Sequence, residues 1–206
     1  MTTETTKIQY HHGDLRQSLI DAATDMIREG GIDSLSLRKL AEQVGVSRTA
    51  PYHHFKDKNE LLCAIAESAF QQHYRRFYHN NSDSNLPAYE RLKRFVHGYV
   101  QYAHENPELY ELMFGHRIWK KQSSTAALKD IAYPTFQLQV EMTKSWQEQG
   151  LLNPDENTLR LAQVIWGTLH GIAKLLNDGV YTDTAPIEEM CDCAVRLFTT
   201  PSEHSP

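Results

Sequence analysis

Ser34–Leu62 reads SLSLRKLAEQVGVSRTAPYHHFKDKNELL, and the spacing within it decides the fold. Leu37, Leu40, Ala41 and Val44 recur at helical spacing behind Ser36, a residue type that caps helix N-termini. Gly45 ends that helix, because Gly tolerates the left-handed backbone found just past a helix end. Ser47 stands as the cap of a shorter helix reaching about His54, with Pro51 in its first turn. Pro51 has no N–H, which deprives the Ser47 carbonyl of its usual helical partner. Asp57 then opens a long helix, and Glu60 three residues on completes a capping-box pattern. A helix of about two turns is marginal by itself in water. It needs a support, and its polar face needs a use.

Outward from this stretch the chain reads as helix after helix. Before it, Leu15, Leu19, Ala22, Ala23, Met26 and Ile27 form a helical stripe over 12–29, stopped by Gly30–Gly31. After it, Leu61, Leu62, Ile65, Ala66, Ala69, Phe70 and Phe77 continue the helix from Asp57. Residues 1–10 are polar and expected to be loose, and NNSDSNLP (80–87) reads as a connecting loop. Helical patterns resume at 88–104 and at 107–114, where Pro107 suits a first turn. GHRIWKKQSS (115–124) reads as a looser link. A long helix over 125–149 is expected to kink or break at Pro134, and 155–177 and 186–198 supply the last two helices. The fold expectation is all-α with about nine helices, divided into 10–56 and 57–206.

Charge and cysteine usage bound the function. The net charge is −5, yet residues 1–58 hold eight Lys/Arg and eight Asp/Glu, so the excess acid lies entirely in the remainder. The N-terminal part also carries His11, His12, His53 and His54. This asymmetry favours it as the face for a polyanion. No apolar run approaches the roughly 18 residues of a membrane span, and the N-terminus lacks the apolar core of a signal peptide. The expected setting is cytoplasmic, with no membrane partner. Cys63, Cys191 and Cys193 are an odd number without metal spacing, and they read as reduced, small apolar residues.

Three helices in about 50 residues, the second and third joined by VGVS, make a helix-turn-helix pattern. Val46 and Phe55 are the short unit's plugs into the core, leaving Arg48, Thr49, Tyr52 and His53 outward. These are residue types that meet phosphates and base edges. Leu15 through about Ile65 resembles the DNA-binding signature of TetR-type (AcrR-like) transcriptional regulators. The resemblance rests on the Ala pair in the first helix, the Gly pair after it, LRKLAEQVGVS, and Y-x-HF-x-x-K-x-x-LL. It implies that Arg38, in the second helix, reaches a base edge or phosphate. It places Ser47, Arg48 and Thr49 at the start of the recognition helix, Tyr52 and His54 on phosphates, and Lys58 at the start of the fourth helix. His53 departs from the family's usual residue; a neutral His is a weaker phosphate partner than Arg, so pH-dependent binding is expected. Pro51 resembles an Ala-Pro-Tyr variant of the motif.

WGTLHGIAKLL (166–176) resembles a Trp-x-x-x-His-Gly element of one TetR subgroup's effector domain. Trp166 and His170, four apart, share a helix face. A core Trp beside a hydrogen-bonded His, with Gly171 allowing helices to approach, outweighs direct effector contact by His170. Tyr99, Phe114, Trp119, Phe136 and Met142 are mostly core, and some should line an apolar effector cavity between helices. Leu159, Ala162, Trp166, Leu169, Ala173 and Leu176 in one helix, and Ile187, Met190, Ala194, Leu197 and Phe198 in the next, form stripes wider than one core needs. With small residues among them, they are expected to build a homodimer's four-helix interface. The adjacent His53 and His54 point apart on a helix and lack a third ligand, so no metal is expected, and no cofactor. No Gly-rich phosphate loop, His-Glu-x-x-His helix or nucleophile motif supports an enzyme. The expected function is therefore a regulator, most naturally a repressor, released from palindromic double-stranded operator DNA by an unknown small-molecule effector. The alternative is an adaptor with the same DNA-binding head and a protein partner in place of the effector.

Overall fold

Asp14 caps the first helix, α1 (Leu15–Ser34): its carboxylate accepts the Gln17 N–H at 3.1 Å. Leu19, Ile20, Ala22, Ala23 and Ile27 are buried along it. At Gly31 the backbone turns to φ 73°, which interrupts α1 where the glycine pair was expected to stop it. The computed structural model describes residues 14–81, 86–119, 123–181 and 187–199. The expected loose arm at 1–10, His11, His12, residues 82–85 of the expected loop at 80–87 and Pro186 lie outside those residues.

Every regular element among the described residues is helical. Helix α2 (Leu37–Val44) buries Leu37, Leu40 and Ala41. It closes on Gly45 at φ 79°, whose N–H reaches the carbonyl of Glu42 at 3.2 Å while that of Val46 reaches Ala41 at 2.9 Å. Ser36 occupies the N-cap but its side chain makes no capping bond. The expected two-turn helix at 47–54 is instead a single 3-10 turn, Ala50–His53. Pro51 explains the difference. The Ser47 carbonyl has no i+4 donor and takes the Ala50 N–H at 3.0 Å; Thr49 and Pro51 carbonyls then accept from Tyr52 and His54, each at 3.1 Å. Ser47 does not cap it; its hydroxyl meets that of Thr49 at 3.2 Å. Phe55 is the plug beneath the turn, with Pro51 buried beside it, while Val46 is only half-buried.

Helix α3 (Lys58–Asn81) begins behind Asp57, whose carboxylate accepts the Glu60 N–H at 2.9 Å. Glu60 reaches back to the Lys56 N–H at 2.6 Å, one residue beyond the ordinary box. Then follow α4 (Ala88–Glu105), α5 (Pro107–Phe114), α6 (His116–Trp119), α7 (Ala126–Glu148), α8 (Thr158–Asn177) and α9 (Ile187–Phe198). The short α6 occupies part of the expected loose link. Helix α7 runs through Pro134 without a break. Helix α1 packs on α2, α3 and α5, while α4 lies among α3, α5, α8 and α9. One continuous apolar cluster joins these layers, from Leu19 to Val195. No described helix is long and apolar enough to cross a membrane. Cys63 and Cys191 are buried; Cys193 is exposed, against the expectation that all three are packed.

The stripes of α8 and α9 require a correction. Ala162, Leu169, Ala173 and Ala194 are buried within this chain, on helices that both pack against α4. Trp166, Leu176, Ile187 and Phe198 lean on the same core, and Met190 is half-buried. Of the residues expected at an interface, only Leu159 (43% exposed) and Leu197 (77%) face outward, joined by the unexpected Val164 (61%). Gly167 and Gly171 also have nothing within 4 Å of where a Cβ would stand, so Gly171 serves no close helix approach inside the chain. The reason is geometric: helical spacing marks a stripe as apolar without saying which neighbour covers it.

Ala194→Glu should therefore place an unpaired charge in the chain's own core, costing about 3–5 kcal/mol. Leu197→Glu, at an exposed position, should cost the chain's own fold no more than about 0.5 kcal/mol, any further loss in urea being the part that depends on protein concentration. Equal urea midpoints for the two variants would show that Ala194 does not face the core.

Candidate functional site

The exposed polar face around the 3-10 turn assembles from three pieces of chain. Arg38 projects from α2, Ser47, Arg48, Thr49, Tyr52 and His53 from the linker and turn, and all six are exposed. Tyr52 shows 57% of its surface to solvent, much for a large aromatic residue. His54 is half-buried, its ring 6.4 Å from that of Phe55, and Lys58 is half-buried at the start of α3. Arg38, Tyr52, Lys56 and Lys58 rim a shallow depression of about 410 Å³, with Asp57 the acidic group among them. Lys56 was not singled out from sequence; its place beside Lys58 comes from the tight turn at Asp57. The arrangement presents four cations, Arg38, Arg48, Lys56 and Lys58, with several hydroxyl and ring donors, a chemistry suited to a phosphate backbone and base edges.

A second feature lies inside the α3, α4, α7 and α8 layer: a cavity of about 360 Å³. Tyr99, Phe114, Trp119, Phe136, Met142 and Trp166 all line it. His170 does not. Its Nδ1 sits 2.6 Å from the Tyr110 hydroxyl, which lies 2.9 Å from that of Tyr99, and Tyr99 accepts the Trp166 indole N–H at 2.8 Å. His170 is thus one end of a hydrogen-bonded chain running from the cavity wall to α5. Burial, then the nearby Lys174, lowers its pKa; burial raises those of Tyr99 and Tyr110.

Sequence reasoning missed much of the lining, including Phe70, His73, Phe95 and Gln139. A signal existed for His73. It stands three residues past Phe70 and four past Ala69, on the buried stripe of α3. Its ring is ringed by Tyr102 at 4.8 Å, Tyr99 at 5.9 Å and Phe114 at 6.3 Å. Burial, with a smaller contribution from Arg76, lowers its pKa to about 3. Among the described residues, no three His, Cys, Asp or Glu side chains converge as a metal site.

Two family models match the chain. One described as bacterial regulatory proteins, tetR family, covers residues 19–65, and one described as tetracyclin repressor-like, C-terminal domain, covers 92–198. The tetracycline repressor protein class D of Escherichia coli is 40% identical over 73 residues, 35% of this chain and 30% of that protein. The chain therefore spans about 30% of the length of that curated relative. A structure of a protein of unknown function from Rhodococcus sp. RHA1 superposes with a TM-score of 0.79 at 30% identity, covering 93% of this chain and 98% of the other. The fold is shared with the transcriptional regulator FadR of Bacillus subtilis, solved in complex with stearoyl-CoA, at a TM-score of 0.70 and 18% identity over 88% of this chain and 96% of that one.

The buried His73 gives stability a definite pH dependence. Between about pH 6.5 and 3 the unfolded chain binds a proton there that the folded chain does not, so its contribution is complete above pH 6.5 and is lost as pH falls. The slope from this one group is about 1.4 kcal/mol per pH unit. His73→Phe should flatten the fall in urea stability over that range relative to wild type; parallel curves would mean that His73 titrates normally.

Proposed function

We propose, from the premise that this chain belongs to the TetR family of bacterial regulatory proteins, that it is a DNA-binding transcriptional repressor released by a small-molecule effector. The observation that carries this reading is the exposed face of Arg38, Arg48, Thr49 and Tyr52, with the half-buried Lys58 at its edge, held over a buried Phe55. The head comprises 10–56, and 57–206 supplies the effector and dimer elements. Tyr52, His54 and Lys58 contact phosphates, while Arg38, Arg48 and Thr49 sit where bases are read. Ser47 and His53 flank them. No metal or enzymatic step is needed for this role.

Palindromic double-stranded operator DNA calls for two heads. Two copies related by a two-fold axis would set them about 34–36 Å apart, one turn of DNA. The outward residues Leu159, Val164 and Leu197, with the uncovered Gly167 and Gly171, support a homodimer on the outer faces of α8 and α9. The inner stripes foreseen for this role are used within the chain. The apolar cavity supports a small-molecule effector over the adaptor alternative, which would instead need a broad uncovered apolar face for a protein partner. Helix α3 links the two ends, since it starts at Lys58 on the DNA face and carries Phe70 and His73 into the cavity wall. An effector that fits one setting of α3 better than another shifts the population away from the DNA-competent form. By linkage, operator DNA weakens that effector by the same factor.

Sequencing of DNA fragments retained by the purified protein should return a palindrome, and no enriched sequence would remove the reading. On that operator, Lys58→Ala should weaken binding to all variants alike and lower the salt slope by about one. Arg48→Ala should relax preference at one position by about 1–3 kcal/mol. A uniform loss from Arg48→Ala would move it to the phosphate contacts. Sedimentation should give twice the 23.7 kDa chain mass, and Leu197→Glu should halve it; a monomer that binds the full operator would exclude the dimer.

A further inference from the structure

The cavity's lining says what kind of molecule it admits. Phe70, Phe95, Phe114, Phe136, Trp119 and Trp166 present rings to it, and Met142 and Ala132 add apolar surface. Among the described residues, no Asp, Glu, Lys or Arg lines it. Arg76, whose charge reaches His73, is paired with Glu105 at 3.3 Å. Four polar side chains of the wall are turned to the protein. Trp166 donates to Tyr99, Trp119 donates to the Met113 carbonyl at 2.6 Å, Thr135 to that of Ile131 at 3.3 Å, and Gln139 to that of Ala162 at 3.0 Å. His73 is neutral at physiological pH.

Ring geometry adds a shape requirement. Phe114 meets Phe70 edge-on at 5.3 Å and 80°, and leans on Trp166 at 5.9 Å and 58°. Phe136 leans on Trp166 at 5.8 Å and 56°. Such tilted sets offer faces and edges to a flat guest, which can stack on one wall and meet another edge-on. An ionised guest would lose its hydration here and find no counter-charge. A cation could use ring faces, but no carboxylate stands among the described lining residues to complete its pairing.

We propose that this cavity takes an uncharged, flat aromatic molecule, bound through ring contacts rather than ion pairs, and rejects carboxylates, phosphates and amidinium-type cations. The proposal rests on reading the cavity as the effector site. It narrows the ligand to neutral compounds in the lower part of the usual pocket range, about 300–1,000 Å³.

Three probes of one shape separate charge from fit: 2-naphthamide, 2-naphthoate and naphthalene-2-carboxamidinium. Isothermal titration of the full chain at pH 7 should show the amide binding at least about tenfold tighter than either ion, as expected for ions buried without partners. Equal or tighter binding of either ion, or no binding of the amide, overturns the proposal. Ala132→Trp should fill the space and abolish amide binding; undiminished binding by a folded variant would put the guest elsewhere and overturn it. Met142→Lys, at a half-buried position, should turn the preference toward naphthoate. Operator release, measured in parallel, separates the two readings. Amide binding without release supports the ligand class and removes the effector role. Release by naphthoate alone overturns the class and keeps the role.

Discussion

The burial of Phe55 fixes the face proposed to meet DNA. A 3-10 turn of four residues has too few hydrogen bonds to hold itself in water. It is held because Phe55, 1% exposed, inserts behind it, and the carbonyl of the buried Pro51 accepts the Phe55 N–H at 2.9 Å. The Arg16 guanidinium of α1 lies over the Phe55 ring at 5.3 Å, which joins the first helix to the same point. With its back side anchored, the turn can leave Tyr52 and the polar residues around it in solvent. Exposure of that face is the counterpart of burial on the other.

Helix α3 carries this anchor into the rest of the molecule. It starts two residues after Lys56, on the rim of the shallow depression, and buries Leu61, Leu62, Ile65, Ala66, Ala69, Phe70 and His73 in sequence. From Lys58 to His73 is fifteen residues, about 22 Å along a helix axis. One rigid element therefore has one end at the proposed DNA face and its middle in the cavity wall. A close-packed interior passes on displacement rather than absorbing it. A second connection leaves the cavity through Trp166, Tyr99 and Tyr110 to His170, and α5, which carries Tyr110, packs on α1. Arg117 adds an ion pair to Asp33 at 2.9 Å across the same junction. That pair is exposed, so its energetic weight is small.

The C-terminal helices show how one pattern serves two purposes. In α8, Ala162, Ile165, Leu169 and Ala173 point into the core, while Val164, Gly167 and Gly171 occupy the other side. A helix with an apolar inner stripe and a small-residue outer one has no strongly polar face, which accounts for its appearance from sequence as unusually broad. The acidic excess of the chain lies in this C-terminal part and not in the head, in keeping with the proposal that DNA meets only the head.

Local chemistry was enough to determine most of the helices, their order and the head's polar surface. Gly45 needs φ 79°, Asp57 and Glu60 form their box, and the Leu37–Leu40–Ala41 stripe has one face to bury. These are interactions within a few residues, so the sequence carries them. The form of the turn was also implicit in Pro51, since a missing N–H leaves only the shorter bond for the Ser47 carbonyl. What the tertiary structure alone decided is who covers whom. It turned Ala194 inward and left Leu197 outward, brought Lys56 beside Arg38, and set His73 among the rings of the cavity. It also withdrew His170 from the cavity by giving it the Tyr110 hydroxyl. Helical periodicity assigns a residue to a side of its own helix, whereas burial depends on helices distant in sequence, and that information exists only once they have packed.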